Sequence, residues 1–383
     1  MSTLQVVNAK HPSSASNNLV LDASGNATFA GTAAMASSFL RNRLINGDMR
    51  IDQRNAGASV TPGNAVYTLD RWRFNSTQTS KFSVQQNAGS VTPPPGFTNY
   101  LGVTSLSAYA LTGVDSFSFE QIIEGFNVSD LNWGTANALP ATLSFWVRSS
   151  LTGTFGGSLA TTRTAVWVMP FSFTISAANT WTYVTVSVTA PTSTGGANTG
   201  SSDGVYVRFG LGGTGAVVGG TVGVWTNAGN FIQPAGTVSV VGTNGATLYV
   251  TGVQFEVGSV ATPFERRQFG QELALCQRYF QKTFPLGTVP ASITGTAGAV
   301  FGSSSVTNTS FSVTRSFLVQ MRASPTMVFF SPNQAGSNWS EQSGVVPTLT
   351  DLGAIDSSIS MRGTGSISAG GAHSIHFTAS AEL

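Results

Sequence analysis

The chain has 383 residues, with 43 Gly, 15 Pro, 41% hydrophobic and only 9% charged residues, and a net charge of +2. That hydrophobic share excludes a chain too polar to bury a core, and the scattered Lys and Arg argue against nucleic acid as a partner. The single cysteine, Cys276, excludes an intrachain disulfide, and no apolar run approaches the roughly 20 residues that cross a bilayer as a helix.

Met1–Lys10 lacks a basic start followed by an apolar core. A signal peptide is therefore not expected, and the chain is expected to be made in the cytoplasm. Residues 1–49 predict an anchoring segment. Asn18–Asp22 and Ala27–Phe29 are short apolar runs around Ala23-Ser-Gly-Asn26, which signals a hairpin. Gly31–Ser38 is small and weakly patterned, as in a linker.

Residues 50–262 alternate apolar and polar residues between Gly/Thr/Asn loops, which predicts one jelly-roll-like antiparallel β-sandwich. Asn46-Gly47 signals a turn ahead of it. In Thr142–Arg148, Leu143, Phe145 and Val147 share the core face, with Thr142, Ser144, Trp146 and Arg148 opposite. Val184, Val186 and Val188 form the core face of Trp181–Thr189. Val205, Val207, Phe209 and Leu211 repeat the pattern, and Asp130–Trp133 suits a helical turn. Thr247–Gly258 is the closing strand. Its alternation changes phase at Thr251-Gly252, from Leu248/Val250 to Val253/Phe255/Val257. A one-residue slip at a glycine predicts a β-bulge.

Residues 263–284 predict a connecting helix spanning Phe264–Lys282. Phe269, Leu273, Cys276 and Phe280 fall at i, i+4, i+7 and i+11, one apolar stripe bounded by Gly270 near its start and Pro285 after its end. With Phe377, these four are the candidate oligomer-interface residues. Residues 285–383 return to β pattern and predict a second, smaller C-terminal β-sandwich domain. In the last run, Ile375, Phe377, Ala379, Ala381 and Leu383 share one face.

Leu44-Ile-Asn-Gly-Asp-Met49, Tyr67-Thr-Leu-Asp-Arg-Trp72, Leu143–Arg148, Val253–Arg267, Gln271–Phe280 and Phe377–Leu383 together resemble a family of bacteriophage tail-fibre and tail-associated virion structural proteins. The resemblance covers roughly residues 40–383, and Val253–Phe280 is its most specific part. It implies a carbohydrate-binding-module-like sandwich, a helix and a C-terminal β domain, assembled as a homotrimer on the virion. Residues 1–49 would dock on other virion proteins, and the projecting domains would contact a host-surface glycan. A head fibre, decoration or tail-wall component is the alternative within that class. The resemblance supplies no catalytic residues.

Residue chemistry points the same way. Gly210–Gly215 fits G-x-G-x-x-G, but no acid follows it before Gly245 and a Gly-broken strand pattern succeeds it. A dinucleotide cofactor is not expected. A polysaccharide depolymerase needs two converging carboxylates. Glu120 and Glu124 are roughly 13 Å apart along one strand. Asp70, Asp130, Glu256 and Asp356 read as turn, cap or surface partners, so no enzyme is expected. His373 and His376 lie three apart in a strand and face opposite ways, which excludes joint metal binding. His376 reads as a surface or interface residue, His11 stands alone, and Cys276 reads as a small buried apolar residue. Trp146, Trp181, Tyr183 and Tyr206 on non-core strand faces, and Trp225 and Trp339 in loops, are the candidate glycan contacts.

Overall fold

The computed structural model describes residues 8–9, 19–21, 27–29, 40–303, 310–341, 346–365, 367 and 371–383. Its contacts divide the chain into Met1–Arg41 and Asn42–Leu383. In the first unit, β1 (Asn8–Ala9), β2 (Leu19–Leu21) and β3 (Ala27–Phe29) form an antiparallel sheet, with Leu19 opposite Phe29 and Leu21 opposite Ala27. The expected turn at 23–26 and the linker at 31–38 lie outside the described residues.

The second unit is mainly β. Its first strands are β4 (Val66–Tyr67), β5 (Arg73–Ser76), β6 (Phe82–Gln86), β7 (Leu101–Ser105), β8 (Ser116–Glu124), β9 (Ala141–Ser149), β10 (Gly153–Thr161), β11 (Trp167–Ile175), β12 (Thr182–Val188), β13 (Asp203–Gly213) and β14 (Thr247–Val257). They form a six-stranded antiparallel sheet in the order β11-β10-β13-β8-β5-β4 and a five-stranded one in the order β12-β9-β14-β7-β6. The two inner faces meet as a jelly-roll-like sandwich. Leu143, Phe145 and Val147 of β9 and Val205, Val207, Phe209 and Leu211 of β13 are all buried in one core. Phe119 stacks on Phe209 at 4.9 Å, and Phe145 meets Phe209 edge-on at 5.0 Å. Burying each such ring contributes about 1.5–3 kcal/mol. Leu44, Ile45 and Met49, read above as part of the N-terminal segment, are buried. The glycine-rich run ends β13 in a 3-10 turn, Gly215–Val217, and opens no α-helix.

The expected bulge is present. Thr251 pairs with Trp146 and Gln254 with Ser144, so β14 carries one residue more than β9 across that step. Gly252 takes φ +62° there, a left-handed conformation that other residues adopt at a cost.

The expected helix is shorter than its periodicity implied: α1 runs Phe269–Gln277. Residues 264–268 are extended because Glu265 and Arg267 point inward. The Asn42 amide donates to Glu265 (2.8 Å) and the Glu265 amide donates to Gln254 (2.7 Å). Arg267 lies between Glu265 and Glu272 and donates to the Asn42 carbonyl. Past α1, Phe280 belongs to β15 (Phe280–Lys282), not to a helical stripe.

The smaller C-terminal sandwich is centred on its last strand. Its strands are β16 (Val300–Ser303), β17 (Ser310–Ser316), β18 (Thr326–Phe330), β19 (Ser340–Glu341), β20 (Thr348–Ala354), β21 (Ser358–Thr364) and β22 (Ala372–Ser380). β22 pairs with β15 and β18 through its second half and with β16 and β19 through its first. Facing it is the sheet β17-β21-β20. Between them lie Phe311, Trp339, Ile359, Met361, Ile375 and Phe377. Trp339 is therefore a core residue, 0% exposed, and cannot meet a ligand. Cys276, Phe280 and Phe377 are likewise buried within the chain, which removes them as interface residues. Of that group, Phe269 is exposed and Leu273 half-buried.

His376 is also buried, contrary to its reading as a surface residue. It stacks on Phe284 at 4.0 Å, its Nδ1 meets Thr283 Oγ1 at 2.8 Å, and its Nε2 meets the Gly295 carbonyl at 3.0 Å. His373, on the opposite face, stacks on Phe311 at 4.8 Å. Burial holds both imidazoles below the ordinary value of 6.5. The unfolded chain therefore takes up protons first on acidification. The stability these neutral rings contribute is present above pH 6.5 and lost as pH falls through their folded values. In NMR titrations both rings should show midpoints below 6.5, and the stability of the Asn42–Leu383 unit should fall with pH in that range. A midpoint at or above 6.5 would contradict their burial.

Candidate functional site

The strand pairing β12-β9-β14 sets aromatic residues side by side on the outer face of the five-stranded sheet. Tyr183 is directly opposite Trp146, and their rings lie 5.2 Å apart. Trp146 in turn pairs with Thr251, next to the bulge. A Cβ at Gly252 would meet the Phe97 ring at 2.6 Å. The bulge glycine is thus the floor on which Phe97 rests. Phe264 meets Phe97 edge-on at 5.2 Å. The Arg266 guanidinium sits 4.6 Å above Phe97 and 5.7 Å from Phe264.

These side chains, with Ser144 and Ala261–Pro263, enclose a cleft of about 470 Å³. Its volume falls within the range of small-ligand sites. The extended run 264–267 explains its far wall. Glu265 and Arg267 turn into the buried polar network, so Phe264 and Arg266 turn out over the cleft. Glu256 is the nearest carboxylate on this sheet face. It is buried and fully engaged, accepting from the Thr262 amide (2.8 Å), Thr262 Oγ1 (2.6 Å) and Gln254 (2.8 Å).

The six sequence candidates separate. Trp146 and Tyr183 line the cleft. Trp181 is on the same face two residues from Tyr183. Its indole donates to the Thr92 carbonyl (2.9 Å), and it packs edge-on against Tyr100. Tyr206 is on the other sheet, where its hydroxyl donates to Asp203 at 2.9 Å. Trp225 packs against Trp133 and donates to the Thr189 carbonyl. Trp339 is buried. Phe97, Phe264 and Arg266 are cleft residues that the sequence reading did not single out. For the last two the chain carries no such signal, since Phe264-Glu-Arg-Arg267 has no apolar/polar alternation and the inward turn of Glu265 and Arg267 depends on buried partners distant in sequence.

The carboxylates raised above do not converge. Glu120 lies between Arg73 and Arg208 and also accepts from Asn75. Burial pushes its carboxyl up, but the two arginines outweigh that and hold it below the ordinary range. Glu124 accepts from Arg278 and from the Tyr279 hydroxyl (2.6 Å). Asp70 accepts from Gln53 and is pushed up to about 6 by burial. Asp130 pairs with Arg43, and Asp356 with Gln320. Among the described residues no cluster of three His, Cys, Asp or Glu side chains could hold a metal ion.

No family model matches this chain, and no curated protein sequence matches it. Among solved structures it overlaps tailspike protein 4 of bacteriophage CBA120, in its enzymatically active domain. That overlap has 13% identity and a TM-score of 0.33, over 57% of this chain and 22% of that one. It also overlaps a Bacteroides thetaiotaomicron protein described as a candidate sugar binder. Here identity is 11% and the TM-score 0.35, over 57% of this chain and all of that one. A third is a family 11 carbohydrate-binding module from Clostridium thermocellum, in complex with a β-1,3-1,4-mixed-linked tetrasaccharide. Identity is 10% and the TM-score 0.27, over 53% and 98% of the two chains. The chain thus spans about a fifth of the tailspike domain's length. The fold assignment rests on the chain's own sheets and register.

Gly252→Ala should cost about 1–2 kcal/mol for the left-handed backbone alone. It should also lift Phe97 and lower the access-protected state of Trp146. Urea unfolding and acrylamide quenching of tryptophan fluorescence measure the two effects. An unchanged unfolding midpoint would mean that the bulge relaxes without cost.

Proposed function

We propose that this chain is a non-enzymatic, glycan-binding structural protein of a bacteriophage virion, a homotrimeric tail fibre or spike-like appendage. The observation that carries the glycan reading is the Trp146–Tyr183 pair, with Phe97 and Phe264 facing it across an open cleft. A sugar ring has an apolar face that packs on an aromatic plane, and its rim of hydroxyls stays wet. The non-catalytic reading is supported by the cleft's lining, which among the described residues contains no carboxylate. It is supported also by the engagement of Glu120, Glu124 and Glu256 in internal bonds.

The virion role is supported by the resemblance carried by Leu44–Met49, Tyr67–Trp72 and Val253–Phe280. In this reading the first 49 residues dock on the particle. Self-association is supported by apolar side chains left exposed in the C-terminal part, Phe301, Leu318, Val328 and Ile355 among them. Three-fold presentation would multiply a weak single site by avidity.

A glycan panel is the direct test. Trp146→Ala and Tyr183→Ala should each weaken binding about tenfold or more, the equivalent of about 1.4 kcal/mol. Both side chains lie on the outer face, so the melting temperature should hold. Tyr206→Phe, on the other sheet, should leave binding intact. Loss of binding in all three, or in none, would remove the cleft from the function. Release of reducing sugars from a bound polysaccharide would replace the non-enzymatic reading with a depolymerase. Light scattering of the full chain should give three times the 39.7 kDa chain mass, and a stable monomer would sink the self-assembling appendage.

A further inference from the structure

The charges around the cleft are one-sided. Arg266 lines it, is exposed, and makes no ion pair among the described residues; its guanidinium is held over Phe97 and Phe264. Arg148 lies on the same outward face of β9 as Trp146, two residues along. It donates to the Asn179 carbonyl (3.0 Å) and sits 5.5 Å from the Tyr249 ring centre, again with no ion pair. The carboxylate that belongs to this face, Glu256, is capped by Thr262 and Gln254. Asp48, whose charge reaches Arg266, is engaged by Arg50 at 2.5 Å.

The aromatic residues continue in the same direction as the arginines. From the Tyr183–Trp146 pair, the next outward step along the strands reaches Trp181 on the β12 side, Arg148 on β9 and Tyr249 on β14. That step is about 7 Å, two residues of strand. Tyr249 lies 5.1 Å from Tyr100, which meets Trp181 at 5.6 Å. Tyr249 and Tyr100 are buried and support the half-buried Trp181 from below, so at this step Trp181 is the ring a ligand can reach, with the Arg148 guanidinium beside it.

Resting on the glycan reading above, we propose that the ligand is an acidic polysaccharide whose repeating units carry carboxylates. Its chain runs along β9 and β12, with one sugar on Trp146–Tyr183 beside Arg266 and the next toward Trp181 beside Arg148. Guanidinium groups held over rings, with their remaining N–H donors unpaired by protein carboxylates, suit bidentate contact with a carboxylate. A neutral glycan would leave both without a counter-charge.

The test compares acidic polysaccharides with the same polymers after methyl esterification, which keeps the backbone and removes the charge. Calorimetry is run on wild type, Arg266→Gln, Arg148→Gln and Trp146→Ala. The expected result is that esterification or either arginine change weakens binding about tenfold or more, the range for a charged hydrogen bond. Raising the salt should weaken the wild type further by screening. The wild type should lose more affinity on esterification than Arg266→Gln does. If esterified or neutral polymers bind as tightly, with Trp146→Ala abolishing binding and Arg266→Gln not, the acidic ligand is overturned and the glycan cleft stands. If no polymer of the panel binds, both fall.

Discussion

The single extra residue in β14 is the constraint on which the rest of the second unit depends. Up to Val250, β14 is paired on both edges, by β7 and β9. Past the bulge it leaves β7, and residues 42–47 take over that edge. The Val253 amide donates to the Gly47 carbonyl (2.9 Å), Asn42 Nδ2 donates to the Val253 carbonyl (2.9 Å), and the Arg43 amide donates to the Phe255 carbonyl (2.8 Å). Without the slip, Val253 and Phe255 would face solvent and Gln254 the core. The same slip makes room for Phe97 on the opposite side. One irregularity thus keeps the core closed and opens the cleft.

Beside it the chain buries charge instead of apolar surface. Arg267 is held by Glu265, Glu272 and the Asn42 and Leu44 carbonyls. Burial pushes the Glu272 carboxyl up, while Arg267 and the Asn46 amide oppose that. Removing any one partner of such a cluster leaves an uncompensated buried ion. It therefore specifies geometry more than it adds stability. It fixes 264–268 as extended chain, which aims Phe264 and Arg266 outward.

The sandwich was legible in the sequence because its strands are amphipathic. Leu143/Phe145/Val147 and Val205/Val207/Phe209/Leu211 alternate without exception, and the phase change at Gly252 could be read from spacing alone. The helix was over-read. Phe280 continues the stripe of Phe269, Leu273 and Cys276 by coincidence of spacing, whereas its backbone pairs with Ser380 of β22. Half of the cleft was legible for a similar reason, since Trp146 and Tyr183 occupy the outward phase of predicted strands. Phe97 was not, because its place depends on a loop packing against a glycine more than 150 positions away. Trp339 was misplaced because a loop tryptophan carries no periodicity to reveal burial.

Glu382 joins distant parts of the chain. It pairs with Arg54, 328 positions earlier, and with Arg71, 311 earlier, while Tyr67 donates to the Leu383 carbonyl at 2.5 Å. Contacts of such sequence separation carry the largest loop-closure cost. Arg71 is fully buried, so a variant lacking the Glu382 carboxylate keeps a guanidinium sealed in the fold with no counter-ion beside it, and the damage falls on a hairpin 311 positions earlier in the chain.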